Sequence, residues 1–99
     1  MFIVNLTYVK ELSEVDSFIS EHNAFLDKFY AENKFICSGR KIPRSGGIIL
    51  ANVKDRPELD EIIGQDPFFK NSIAKYEITE FSPTKFVPDF ERFLSEQTN

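Results

Sequence analysis

The stretch FICSGRKIPRSGGIILANV, residues 35–53, decides the fold because it places two strands in succession with no helix between them. Residues 35–39 form a short strand pattern, and residues 48–53 form a run that is apolar at nearly every position. The loop between them contains a proline and ends in a Gly-Gly pair, which interrupt regular structure. Because the run at residues 48–53 is apolar at nearly every position, this strand is predicted to be buried on both faces.

A helix is predicted on each side of this pair of strands. The first helix begins at Ser13, a favourable N-cap residue, and continues to about Asn33. Its apolar residues fall on one stripe of the helix surface, and His22 lies in the middle of that stripe. The second helix begins after Asp55, which caps it, and ends at Gly64.

The first and last strands along the chain, residues 2–9 and 73–81, complete the pattern, and a short helix is predicted at residues 89–94. The order β-α-β-β-α-β predicts an α+β, ferredoxin-like fold, with a four-stranded antiparallel sheet and two helices on one face. Several strands are apolar on both faces. We therefore expect a second copy of the chain to cover the free face of the sheet, in a homodimer packed sheet to sheet.

Length and composition limit the possible classes of protein. The chain has 99 residues, enough for one domain at 1–99, with a core at 1–82 and a C-terminal extension at 83–99 that ends in a loose tail at 95–99. No membrane span or secretory signal is expected, and the net charge of −4 argues against a nucleic-acid partner. The single cysteine, Cys37, is predicted to be buried in a strand and favours a reducing, cytoplasmic location. With one cysteine and one histidine, no metal site is predicted.

Two residues are the main candidates for chemistry. His22 is either a general acid or base, or a core histidine bonded to a backbone carbonyl. Asp66 lies in the stretch QDPFF, residues 65–69, where aspartate before proline first of all indicates a turn. In the functional alternative, the Asp66 carboxylate orients the imidazole ring of His22.

A basic stretch at residues 34–44 carries four cations with no acid between them. Such a stretch is usually a solvated loop, but it can also form an anion site in which Arg40 binds a carboxylate or phosphate. Tyr8 ends the first strand, where it reaches either a cleft, the core or an interface.

In their order and spacing, these residues resemble the YciI-like family of small dimeric α+β proteins. The resemblance covers most of residues 1–82 and rests on the strand FIVNL at 2–6, His22 followed by FL at 25–26, the strand FICSG at 35–39, Gly46-Gly47, and the turn QDPF at 65–68. It implies a dimeric α/β barrel with an active site built on His22 and Asp66. Substrate contacts are then expected from the strand ends and the turn, namely Tyr8, Ser38, Gly39, Arg40 and Phe68.

The resulting expectation is a small-molecule enzyme of the isomerase or lyase type that needs no cofactor. His22 would transfer a proton, Asp66 would orient it, and Arg40 would bind an anionic group of the substrate. A non-catalytic ligand-binding or sensory module would use the same cleft without turnover. A purely structural dimeric domain, or a haem protein with His22 as axial ligand, are further alternatives.

Overall fold

The computed structural model describes residues 1–94, and the tail expected at 95–99 lies outside this range. The strands are β1 (Phe2–Tyr8), β2 (Phe35–Arg40), β3 (Gly46–Ala51) and β4 (Ala74–Glu80). The helices are α1 (Leu12–Ser17), α2 (Ile19–Ala31), α3 (Arg56–Ile63) and α4 (Pro67–Lys70), and a 3-10 helix follows at Pro88–Phe93. None of the helices in residues 1–94 is long and apolar enough to cross a membrane.

The four strands form one antiparallel sheet in the order β2-β3-β1-β4. Val4 of β1 lies opposite Ile49 of β3 on one side and Ile78 of β4 on the other. This topology confirms the predicted α+β, ferredoxin-like fold. It also explains why β1 and β3 are the most apolar strands, since both occupy the centre of the sheet.

The hydrophobic core lies between one face of the sheet and the helices. Phe2, Val4 and Leu6 of β1 point into it and are each at most 2% exposed. Phe25 and Phe29 of α2 pack against the β2 residue Phe35, with ring centroids 5.7 and 5.6 Å from that of Phe35, and against each other at 5.3 Å. Aromatic pairs of this kind contribute about 0.5–1.5 kcal/mol each beyond the area they bury. This packing fixes the rotation of α2 and therefore the direction in which His22 points.

The first helical segment differs from the prediction of one helix from Ser13 to Asn33. Helix α1 begins at Leu12, with Glu11 at the N-cap position and no side-chain cap, so Ser13 is not the cap. The helix is interrupted at Phe18, where φ is −110° and ψ is 2°. Ser17 donates a hydrogen bond from Oγ to the Glu14 carbonyl at 2.6 Å, a local bond that competes with helix continuation.

The prediction that Cys37 is buried is wrong, because its side chain is exposed. The pairing of β2 with β3 shifts by one residue between Phe35 and Cys37. This irregularity places Cys37 opposite Leu50, on the face of the sheet that points away from the helices. Strand β3 also begins two residues earlier than predicted. Glycine is needed at position 46, because a Cβ atom there would lie 1.8 Å from the carbonyl oxygen of Leu6.

The short helix predicted at residues 89–94 is present as a 3-10 helix at Pro88–Phe93. It is attached to the domain by Asn52, whose side-chain amide donates a hydrogen bond to the carbonyl of Phe93. Asn52 is buried, and so is Leu94, the residue after Phe93. Contacts with the domain, and not helical periodicity, therefore set the conformation of this six-residue segment.

Candidate active site

The turn at residues 65–69 is built by the local chemistry of Asp66-Pro67. Asp66 is the N-cap of α4, and its Oδ1 accepts a hydrogen bond from the backbone amide of Phe68 at 2.9 Å. Pro67 occupies the start of the helix, where its fixed φ and missing N–H are tolerated. The structural interpretation of Asp66 as a turn residue is therefore correct.

The same carboxylate is bonded to His22. Nδ1 of His22 lies 2.8 Å from Oδ1 of Asp66, although the two residues are 44 positions apart in the sequence. Asp66 is completely buried, whereas 12% of the His22 side chain is exposed. One oxygen of Asp66 therefore both caps α4 and bonds the imidazole.

Tyr76 is a third member of this group, and sequence reasoning did not identify it. Its hydroxyl donates a hydrogen bond to Oδ2 of Asp66 at 2.5 Å. Burial, reinforced by the neighbouring Asp66 charge, raises the pKa of Tyr76 well above its ordinary value. The alternation of β4 carried a signal for it, since Tyr76 falls on the inward-facing positions and lies opposite Leu6.

The imidazole of His22 is positioned by a stacking contact on its ring face as well as by the hydrogen bond at Nδ1. Its ring stacks on Phe68, with centroids 4.1 Å apart and an angle of 7° between the planes. An ionised carboxylate has no proton to donate, so the hydrogen bond to Asp66 places the proton of neutral His22 on Nδ1. Nε2 is then the unprotonated nitrogen, and within residues 1–94 it forms no hydrogen bond.

His22 opens into a cleft of about 480 Å³ between α1, α2 and the β2–β3 pair. Apolar side chains supply much of its wall, among them Leu6, Ile19 and Leu26. All of the predicted substrate contacts lie in this lining, namely Tyr8, Ser38, Gly39, Arg40 and Phe68. Asp66 does not line the cleft, because it bonds to His22 on the side of the imidazole that faces away from the cleft. It can therefore affect a ligand only through the imidazole.

The rim of the cleft carries two arginines with different surroundings. Arg44 is bonded to Asp16 at 2.5 Å, and this bond raises the pKa of the guanidinium further. Arg40 also lines the cleft, and no ion pair or hydrogen bond of its side chain is present within the described part of the chain. Arg40 is therefore the cation available to a ligand.

The other two cations of the basic stretch are used elsewhere. Lys34 lies 3.6 Å from Glu58, and Lys41 donates a hydrogen bond to Thr7 at 3.1 Å. Three of the four cations in the basic stretch therefore have protein partners, whereas the Arg40 side chain has none within residues 1–94. Among residues 1–94, no group of three or more potential metal ligands comes together.

Comparisons with known proteins agree with this architecture. The fold is similar to a 5-chloro-2-hydroxyhydroquinone dehydrochlorinase from Burkholderia phenoliruptrix AC1100, solved with 2,5-dihydroxybenzoquinone, with a TM-score of 0.69, 15% identity, and coverage of 83% of this chain and 94% of that chain. SnoaB, a cofactor-independent oxygenase from Streptomyces nogalater, aligns with a TM-score of 0.47, 15% identity, and coverage of 88% of this chain and 94% of that chain. No curated protein matches the chain.

The family assignment follows from the sequence itself. Residues 1–82 match the YCII-related domain, and this range includes the four strands, His22, Asp66 and Tyr76. The match leaves out the segment that carries the 3-10 helix. The chain therefore belongs to the family of proteins with a YCII-related domain.

Proposed function

We propose that this protein is a small-molecule enzyme that uses His22 and Asp66 for acid-base chemistry of the isomerase or lyase type. The observation that carries the proposal is the hydrogen-bonded pair itself, in which a buried carboxylate holds a histidine that lines a cleft. A core histidine needs no such cleft. One protein of similar fold is a dehydrochlorinase, so this architecture supports small-molecule chemistry in at least that protein.

In the proposed reaction, His22 and Asp66 have separate roles in proton transfer. Nε2 of His22 accepts a proton from a carbon next to a carbonyl, and the electron pair of the C–H bond moves to the carbonyl oxygen to form an enolate. An isomerase returns the proton from Nε2 to another carbon, whereas a lyase expels a leaving group from the adjacent carbon. Asp66 fixes the ring and stabilises the imidazolium, and a positioned base of this type accelerates such steps by about 10²–10⁴-fold.

Arg40 supports an anionic substrate. Its guanidinium is a planar donor that suits a carboxylate or phosphate. Among residues 1–94, the one acid that lines the cleft is Asp16, which is bonded to Arg44. Together with the apolar wall, this favours a small substrate with an apolar body and one anionic group. Ser38, Gly39, Tyr8 and Phe68 would complete the contacts.

The proposal includes a homodimer formed through the open face of the sheet. Ile3 faces away from the helices, opposite Leu50, and Ile48 on the same face is 38% exposed. Between them, Oδ1 of Asn5 is buried without a hydrogen-bond partner in residues 1–94. A second copy would bury the apolar side chains and offer a donor to Asn5. Light scattering at micromolar concentration tests this, and a monomer contradicts it.

Proton abstraction can be tested before the substrate is known. A panel of small 2-oxo and 3-oxo carboxylates is incubated with the protein in D₂O, and NMR follows deuterium incorporation at the carbon next to the carbonyl. We expect catalysed exchange in at least one member of the panel, and a loss of about 10²–10⁴-fold in His22→Gln. Circular dichroism of the variant controls for folding.

The other outcomes of this experiment separate the alternatives. Exchange that persists unchanged in His22→Gln contradicts the assignment of His22 as the base. Binding of a panel member with no exchange contradicts the enzyme proposal and leaves a ligand-binding module that uses the same cleft.

A further inference from the structure

We propose that Tyr76 is a positioning residue for the His22–Asp66 pair: its hydroxyl occupies the second oxygen of Asp66 and so keeps the proton of neutral His22 on Nδ1. The inference rests on the proposed function only in taking Nε2 as the working base. Tyr76 does not line the cleft, so it acts through Asp66 and not on the substrate.

The surroundings of Asp66 supply a hydrogen-bond donor to each of its two carboxylate oxygens. Oδ1 accepts from Nδ1 of His22 and from the amide of Phe68, and Oδ2 accepts from the hydroxyl of Tyr76. The residue is 0% exposed. Tyr76 is the one partner of Oδ2 within residues 1–94, so its removal would leave a buried carboxylate oxygen without a donor.

A buried carboxylate in that condition has two ways to recover. It can turn about its Cβ–Cγ bond toward another donor, or it can bind a proton and become neutral. Either change weakens the bond that holds the proton on Nδ1 of His22. A fraction of the neutral imidazole then carries its proton on Nε2, and in that form it cannot accept one from a substrate.

The fold places the Tyr76 hydroxyl firmly enough for this role. Tyr76 lies on β4 opposite Leu6, so the strand register sets the position of its backbone. Its ring meets Phe69 of α4 edge to face, with centroids 5.6 Å apart and an angle of 79°. The carboxylate and the phenol are thus held by neighbouring elements that also contact each other, which is how a supporting residue fixes the geometry of a site.

Nitrogen NMR of the single histidine tests the proposal without a substrate. In protein labelled with ¹⁵N-histidine, at a pH where the imidazole is neutral, we expect Nδ1 to show a protonated shift and Nε2 an unprotonated one. In Tyr76→Phe the two shifts should move toward each other, as the proton is shared between the nitrogens. Asp66→Asn, which removes the charge directly, provides the reference for a disrupted pair.

Tyr30→Phe is the matched control. It removes the same atom from a hydrogen bond of the same length, 2.5 Å, but the partner is Ser38 and not Asp66. The nitrogen shifts of His22 should keep their wild-type values in this variant. If Tyr76→Phe also keeps them, the role of Tyr76 is disproved. If the wild-type protein itself lacks the Nδ1 proton, the proposed function fails together with the role of Tyr76.

A second measurement covers the case in which Tyr76→Phe does not fold. The chain has three tyrosines, so Tyr76 is the sole one left in the double variant Tyr8→Phe/Tyr30→Phe. Replacement of that tyrosine by 3-fluorotyrosine makes its hydroxyl a stronger donor to Asp66. The Nδ1 proton resonance of His22 should then shift, because the Tyr76 hydroxyl and the imidazole bond to the same carboxylate. An unchanged resonance overturns the proposal.

Discussion

The molecule contains two clusters of polar side chains that differ chiefly in their contact with water. The buried cluster consists of His22, Asp66 and Tyr76, and its central carboxylate has no exposed surface. The cleft rim consists of Arg40, Arg44 and Asp16, in which the Asp16 side chain is 56% exposed. Inside the protein a lost partner leaves a polar group that water cannot reach, whereas at the rim water replaces it. The cluster should therefore control stability and proton position, and the rim should control ligand affinity.

The largest effect is expected from Asp66→Ala. The substitution removes the cap of α4 and leaves the His22 and Tyr76 donors without an acceptor, which should lower the free energy of unfolding by about 2–4 kcal/mol. Asp55→Ala is the matched control, because Asp55 also caps a helix, through Glu58 at 3.0 Å, but has no role in the cluster. It should cost about 1 kcal/mol. Urea denaturation measures both, and equal losses would contradict the importance of the buried cluster.

The next effect concerns the rim. Arg40→Gln should weaken binding of an anionic ligand by about 1.5–3 kcal/mol, the contribution of a hydrogen bond to a charged group, with little change in stability. Lys41→Gln removes one positive charge at the neighbouring position, and Lys41 does not line the cleft, so this substitution should leave affinity nearly unchanged. Isothermal calorimetry with the ligand found in the carboxylate panel compares the two. A similar loss in both variants would indicate a general charge effect and not a specific site.

The smallest effect is a dependence of stability on alkaline pH. Because the pKa of Tyr76 is raised in the folded protein, the unfolded chain loses this proton first, above about pH 10. The contribution of the Tyr76 proton to the free energy of unfolding is complete below that pH. It is lost as the pH rises, at up to about 1.4 kcal/mol per pH unit. Urea denaturation of wild type and Tyr76→Phe at several alkaline pH values should show the steeper decline in the wild type. Parallel curves would mean that Tyr76 ionises normally.

Sequence patterns predicted the parts of this protein that depend on neighbours in the chain. The order of strands and helices followed from the spacing of apolar residues, and Asp55 and Asp66 were both placed at turns or caps where the structure has them. His22 was assigned to the inward stripe of its helix, and it does face the cleft. These features need only the periodicity and capping chemistry of a few adjacent residues.

The features that were missed depend on residues distant in the sequence. The shift in register that exposes Cys37 and the bond between Arg44 and Asp16 both arise where separate segments pack together, whereas the break at Phe18 is accompanied by the local bond from Ser17 to the Glu14 carbonyl. Tyr76 was assigned to an alternating strand, but nothing in that alternation specifies the partner of its hydroxyl. Side-chain pairing across the fold is set by packing, which local patterns do not encode.

The sequence by itself determined a β-α-β-β-α-β chain with a histidine on the inner face of its long helix and an aspartate at the head of a short turn. Only the tertiary structure decided that this histidine and a tyrosine of the edge strand both bond to the carboxylate of this aspartate. The reason is physical: α2 is rotated by its aromatic contacts with β2, α4 is fixed by its cap, and β4 is fixed by its register with β1. The three constraints meet at Asp66, and none of them is visible in any single segment.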